Sequence, residues 1–186
     1  MSPSDSTRFR FRSAGWRDRP PVPEDEAGNA FIQSQRPEIR KLARSLVTQP
    51  ADSLRAAREL LRFVYSTLEK VPVANLSTAL DILAQKKGDC SEHTTLYASL
   101  SRALRIPTRV RIGLVHLQGR FLYHAWPVVY SQGQWWDVDP TLNQFPADAT
   151  HIPLLEGDPT QLSGLLPGLG RLSITLLDYE TSHVAN

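Results

Sequence analysis

The chain has 186 residues, of which 41% are hydrophobic and 22% charged, with a net charge of +2 and one cysteine. That length fits one domain with room for a short appendage, and the composition is that of a soluble chain able to build a core. The charge balance gives no ground for nucleic acid or an anionic membrane as a partner. One cysteine excludes an internal disulfide framework, and no apolar run approaches the ~20 residues of a membrane span.

Residues 1–29 are polar and rich in proline, arginine and acidic residues. The start, MSPSDSTRFRFR, lacks the apolar stretch of a signal peptide, so a cytoplasmic location is the default expectation. RFRFR at 8–12 alternates basic and aromatic residues, as a short strand or an unstructured tail would. No further basic cluster supports a nucleic-acid arm. RPPVPEDEAGN at 19–29 reads as a linker, because proline and charge oppose compact structure. The expected organisation is a polar N-terminal segment over 1–30 and one domain over 31–186.

From Pro37 the pattern is helical. Proline suits a first turn, and Ile39, Leu42, Ala43 and Leu46 follow at helical spacing. A second helix is predicted from about Ser53, with Leu54, Ala57, Leu61, Val64 and Leu68 as its apolar stripe. Ser77 is the predicted N-cap of a short third helix, TALDILAQK, ended by Gly88. A fourth begins at or just before Cys90 and runs to about Leu104, with Leu96, Tyr97, Leu100, Ala103 and Leu104 on one stripe. Pro107 stops it.

Beyond Pro107 the period becomes two. In TRVRIGLVHL, Val110, Ile112 and Leu114 share one face, with Arg109 and Arg111 on the other. QGR at 118–120 is a turn, FLYHAWPVVY a second strand, SQGQ at 131–134 a second turn and WWDVD a third strand. Trp135 and Trp136 face opposite ways, so one belongs in the core and the other is available to a cleft. Residues 140–170 read as loop, and RLSITLLDYE at 171–180 as a closing strand. Helices followed by consecutive hairpins imply an α+β fold, with N-terminal helices packed on an antiparallel β-sheet.

The lone Cys90 lies in KKGDCSEH, at the predicted start of a helix. The free N–H groups and dipole there favour an anion, and thiolate is the reactive form of cysteine. A buried, inert cysteine is the plain alternative. A thiol nucleophile needs a base, and the base an orienting group. Among five histidines, His124 sits inside an apolar strand, and Asp139 ends the next. If the intervening turn has two or four residues, Trp126 lies opposite Asp139. His124 is then one diagonal step away on the same face, with Cβ atoms roughly 7–8 Å apart. Asp137 shares that face and is the rival orienter, but it lies nearer Val128. His93 is close to Cys90 in sequence, yet its ring would point along the helix. The preferred set is Cys90, His124 and Asp139.

These residues resemble the transglutaminase-like superfamily. The matching segments are Gly88-Asp89-Cys90-Ser91-Glu92-His93, Arg105-Ile106-Pro107, His124-Ala125-Trp126 and Trp135-Trp136-Asp137-Val138-Asp139-Pro140-Thr141. The match spans about 77–141, and the first 36 residues lie outside it. Pro127 departs from the family pattern and, lacking an N–H, implies an edge or a bulge. The resemblance implies a papain-like core with Cys90 as nucleophile, His124 as base and Asp139 as orienter. It implies acyl transfer or hydrolysis on peptide carboxamides through a thioester, with peptidase or amidase action favoured over a protein-glutamine transglutaminase. Its substrate would be a protein or peptide.

An arylamine acyltransferase shares this triad logic but differs in surrounding sequence. A catalytically silent domain that binds a peptide or partner is the non-enzymatic alternative. No cofactor and no metal are expected: there is no HExxH pair, no second cysteine, no phosphate loop and no calcium loop.

Overall fold

The computed structural model describes residues 19–73 and 77–157, together with the backbone of 6–8 and 180–182. Near the ends of the chain, β1 (Ser6–Arg8) runs antiparallel to β8 (Glu180–Ser182). Except for Arg8 and Glu180, the strands expected at 8–12 and 171–180 lie outside the described residues.

Four helices form where the apolar periodicity places them. α1 (Pro37–Leu46) starts on a proline, whose missing N–H would have no helical partner in the first turn. α2 (Ser53–Thr67) is capped by Asp52, which accepts from the Arg55 N–H at 3.0 Å. α3 (Ala79–Gln85) is capped by Thr78, one residue later than expected, because Asp81 completes a capping box with it. It ends at Lys86 in the left-handed region (φ 52°) and not at Gly88. β2 (Glu69–Lys70), before it, and β3 (Lys87–Gly88), after it, pair in parallel. Gly88 is needed for closeness: a Cβ there would meet the Glu92 Cβ at 2.2 Å.

α4 (Cys90–Ala103) is the central element. It is buried from Glu92 to Ser101, all the way round and not along one stripe. Its polar residues disguise this in the sequence, but most are small and several bond to nearby carbonyls. Thr94 donates to the Ala125 carbonyl, Ser99 to the Thr95 carbonyl and Ser101 to the Tyr97 carbonyl. On one side α4 meets the helical core of Ile39, Ala57, Leu60, Val64, Ile82, Leu96 and Leu100. Each fully buried leucine there contributes about 2 kcal/mol. On the other side Ala98 packs with Val110, Ile112 and Ala125 of the sheet.

The sheet has the order β6-β5-β4-β7, antiparallel throughout. β4 (Thr108–Leu117) turns through Gln118-Gly119 into β5 (Arg120–Ser131), which turns through Gln132-Gly133 into β6 (Gln134–Asp137). Both turns carry positive φ at both central residues, which matches the right-handed twist of the strands they join. β7 (His151–Gly157) pairs with β4 inside the stretch read from the sequence as loop. It is an edge strand, carries Pro153 and lacks clean alternation, and its ladder shifts register between Ile112 and Gly113. Pro127 lies on β5 where β6 leaves the ladder. Its carbonyl accepts from Val138 N–H, so its absent N–H would point to the same side, past the last pair Val128–Asp137.

Arg109 and Arg111, on the polar face of β4, are 5% and 1% exposed. Arg109 forms a two-pronged pair with Asp25 at 2.9 Å on each arm, lies over the Trp135 ring, and donates to the carbonyls of Arg19 and Pro20. Residues 19–29, which looked like a linker, therefore pack on the sheet around a buried arginine. Arg111 pairs with Asp137 at 2.6 Å and with Glu156 at 3.3 Å.

Candidate active site

Cys90 occupies the first turn of α4, after the N-cap Asp89, whose carboxylate accepts from the Ser91 N–H at 2.8 Å. The reciprocal bond runs from the Asp89 N–H to Glu92 Oε2 at 3.0 Å. This fixes the end of the helix from which the thiol projects. Burial, with the Asp89 carboxylate next, pushes Glu92 up to about 7.

The hairpin β5–β6 supplies the rest. Its two-residue turn sets Val128 against Asp137 and Tyr130 against Trp135. Continued two residues further, that register sets Trp126 against Asp139. His124 is 5% exposed and Asp139 0%. A carboxylate only accepts, so His124 Nε2–H donates to Asp139 Oδ2, at 2.7 Å. The Cys90 side chain lies close enough to act on the His124 ring and favours its charged form. With Nε2 engaged, Nδ1 is the nitrogen left for the thiol. Burial works against the imidazolium, but the bond to Asp139 and the nearby Cys90 side chain outweigh it and raise His124 to about 9.

Asp139 is held on every side. Its Oδ1 accepts the N–H groups of Thr141 at 2.7 Å and Leu142 at 3.0 Å. Its Oδ2 accepts His124 and, at 2.9 Å, Nε2 of His151. Burial opposes its charge, yet the two imidazoles hold its carboxyl well below the usual carboxylate range.

The rival orienter Asp137 does not reach His124. Its Oδ1 takes Arg111 and the Trp126 indole N–H at 2.8 Å. That bond also commits the Trp126 N–H. His93 turns its Nδ1 to the Asp89 carbonyl at 2.7 Å, and burial pushes its pKa down. Trp136 packs on the helical core, stacked on Phe145. Trp135 lies over Arg109 and donates to the Arg19 carbonyl.

His151 went unnoticed in the sequence because its strand did. It lies on β7, opposite Val115, and packs edge-on against Trp126, with ring centroids 5.0 Å apart. Gly113, between His124 and Pro153 in the ladders, lets β7 come this close. A Cβ there would meet the Ile152 carbonyl oxygen at 2.0 Å. The ligand atoms of His124, Asp139 and His151 lie within 4.8 Å of one another, so among the described residues these three could hold a metal ion. Chain spacing did not reveal them, since they come from three separate segments.

Residues 40–140 match the family model described as the transglutaminase-like superfamily. Among solved structures, a candidate cysteine protease from Cytophaga hutchinsonii is 22% identical with a TM-score of 0.58, over 72% of this chain and 46% of that one. The periplasmic domain of TgpA from Pseudomonas aeruginosa is 23% identical with a TM-score of 0.49, over 64% and 46%. The chain thus spans about half the length of these two structures. No curated protein matches it in sequence. Among the described residues, no helix is long and apolar enough to cross a membrane.

Proposed function

The chain belongs to the transglutaminase-like superfamily, and from that premise we propose that it is a cysteine-dependent hydrolase of peptide carboxamide groups acting through a thioester. One observation carries this proposal: the buried Asp139 carboxylate holds Nε2 of His124 at 2.7 Å, with the Cys90 side chain near enough to favour the charged ring.

The Cys90 thiolate attacks the carbonyl carbon of the carboxamide, and the oxygen takes the negative charge. The backbone N–H of Cys90, at the open end of α4, is a donor of the right kind for that oxygen. The imidazolium of His124 gives its proton to the leaving nitrogen as the C–N bond breaks, and a thioester to Cys90 remains. Neutral His124 then takes a proton from water. The resulting hydroxide adds to the thioester, and the Cys90 thiolate departs, leaving a carboxylic acid. Asp139 keeps the ring aimed throughout and stabilises its charged form. A lysine amine in place of water would give a cross-link by the same steps.

The test is incubation of the full chain with glutamine-bearing peptides, with and without a lysine-like amine. A carboxylate product that persists in the presence of the amine supports the hydrolase. Amine incorporation alone would replace it with a transglutaminase. No product from either, with Cys90 unreactive to alkylation, would end both.

A further inference from the structure

We propose that His151 is a positioning residue for this site: from β7 it grips the same carboxylate oxygen of Asp139 that His124 uses, and shares its charge. The inference rests on Cys90, His124 and Asp139 being the reacting group. Three observations carry it.

The first is the bonding of the ring. Nε2 lies 2.9 Å from Asp139 Oδ2, while Nδ1 faces the Asp148 carbonyl at 3.3 Å and the Asp148 carboxylate at 3.4 Å. Both nitrogens face acceptors, and only the imidazolium has an N–H on each. His151 is therefore a second cation on a carboxylate already bonded to one. The second is burial. His151 is 6% exposed and Asp139 0%, so water takes little of that charge. The third is Gly113, whose missing side chain admits the β7 backbone.

Among the described residues, the groups facing this ring are few. They are His124, with its centroid 5.7 Å away, and Trp126 from β5, Asp139 from the segment after β6, and Asp148 from the segment entering β7. From α4, His93 feels the charge of Asp139, which favours its protonated form.

The arrangement does two things. It leaves Oδ2 no freedom to swing away from His124, so the ring stays aimed at the thiol. It also divides the carboxylate's charge between two imidazoles. His124 must release a proton to the leaving nitrogen, and an undivided Asp139 would make it a poorer acid.

Two variants separate these effects, read in the full chain by carboxamidomethylation of Cys90 with iodoacetamide at pH 6 and by NMR titration of the His124 ring. H151L removes donor and charge, and should slow alkylation about tenfold or more, the range known for lost outer-shell partners. H151Q keeps an N–H near the Nε2 position and should restore the rate to within about threefold. Without the neighbouring charge, His124 in H151Q should hold its proton to higher pH, by on the order of one unit. Wild-type rate in H151L, or H151Q as slow as H151L, overturns the proposal. Should H151L fail to fold, the wild-type protein decides: His151 Nε2 must carry a proton at pH 7, and a bare Nε2 there overturns it equally. None of these readouts needs turnover, so a protein that alkylates as described but cleaves no peptide would contradict the hydrolase and not the role of His151.

Discussion

Replacing Asp139 by asparagine turns one oxygen into an NH₂ group and leaves the volume unchanged. The Thr141 and Leu142 amides can keep their acceptor, but the new NH₂ faces the Nε2 atoms of His124 and His151. His124 must then place its proton on Nδ1, toward the thiol, where it cannot serve as a base. Asp139→Asn should cost about 100-fold or more in hydrolysis rate, with the far-UV spectrum retained. Asp137→Asn should stay within a few-fold of wild type in rate and lose thermal stability instead, since its partners are Arg111 and Trp126. The pH dependence follows from His124. Its folded value of about 9 exceeds the ordinary 6.5, so the imidazolium is complete at neutral pH and lost as the pH rises through about 9. Hydrolysis should therefore hold to about pH 9 and then fall as the leaving nitrogen loses its proton donor. The stability His124 contributes is likewise full below 6.5 and fades over the same alkaline range.

At the scale of elements, the position of α4 and the pairing of β5 with β6 were legible because each depends on short-range chemistry. Gly-Asp before Cys90 and Glu92 after it announce a capped helix. SQGQ at 131–134 announces a turn, and the two-residue form it takes, Gln132-Gly133, sets the parity that joins His124 to Asp139. β7 was not legible. An edge strand with a proline and a register shift shows no period of two, and its partner β4 is remote in sequence. His151 was hidden with it. The glycine beneath it gives a test at this scale. Gly113→Ala should destabilise the fold by about 1–3 kcal/mol, because its Cβ must displace the Ile152 carbonyl. It should also slow Cys90 alkylation at pH 6 as β7 and His151 withdraw, which a thermal melt and a labelling time course would show together.

Across the whole molecule, α4 joins the helical core to the sheet, and Arg19, Pro20 and Asp25 meet the second face of the sheet at Arg109 and Trp135. Proline and charge made the segment 19–29 look like a linker. Its Asp25 is instead the partner of an arginine on a strand, and alternation alone does not say whether a polar face meets water or another segment. Asp25→Ala would leave Arg109 buried with Glu156, at 3.7 Å, as its remaining carboxylate among the described residues. Equilibrium unfolding should show a loss of about 3 kcal/mol, with Cys90 reactivity little changed. If an imidazolium on β5 holds a thiolate on α4, alkylation of Cys90 by iodoacetamide, followed from pH 5 to 8 in wild type and in His124→Ala, should be fast already near pH 6 and collapse in the variant. Slow labelling at pH 6, or labelling indifferent to the loss of His124, would contradict that pairing.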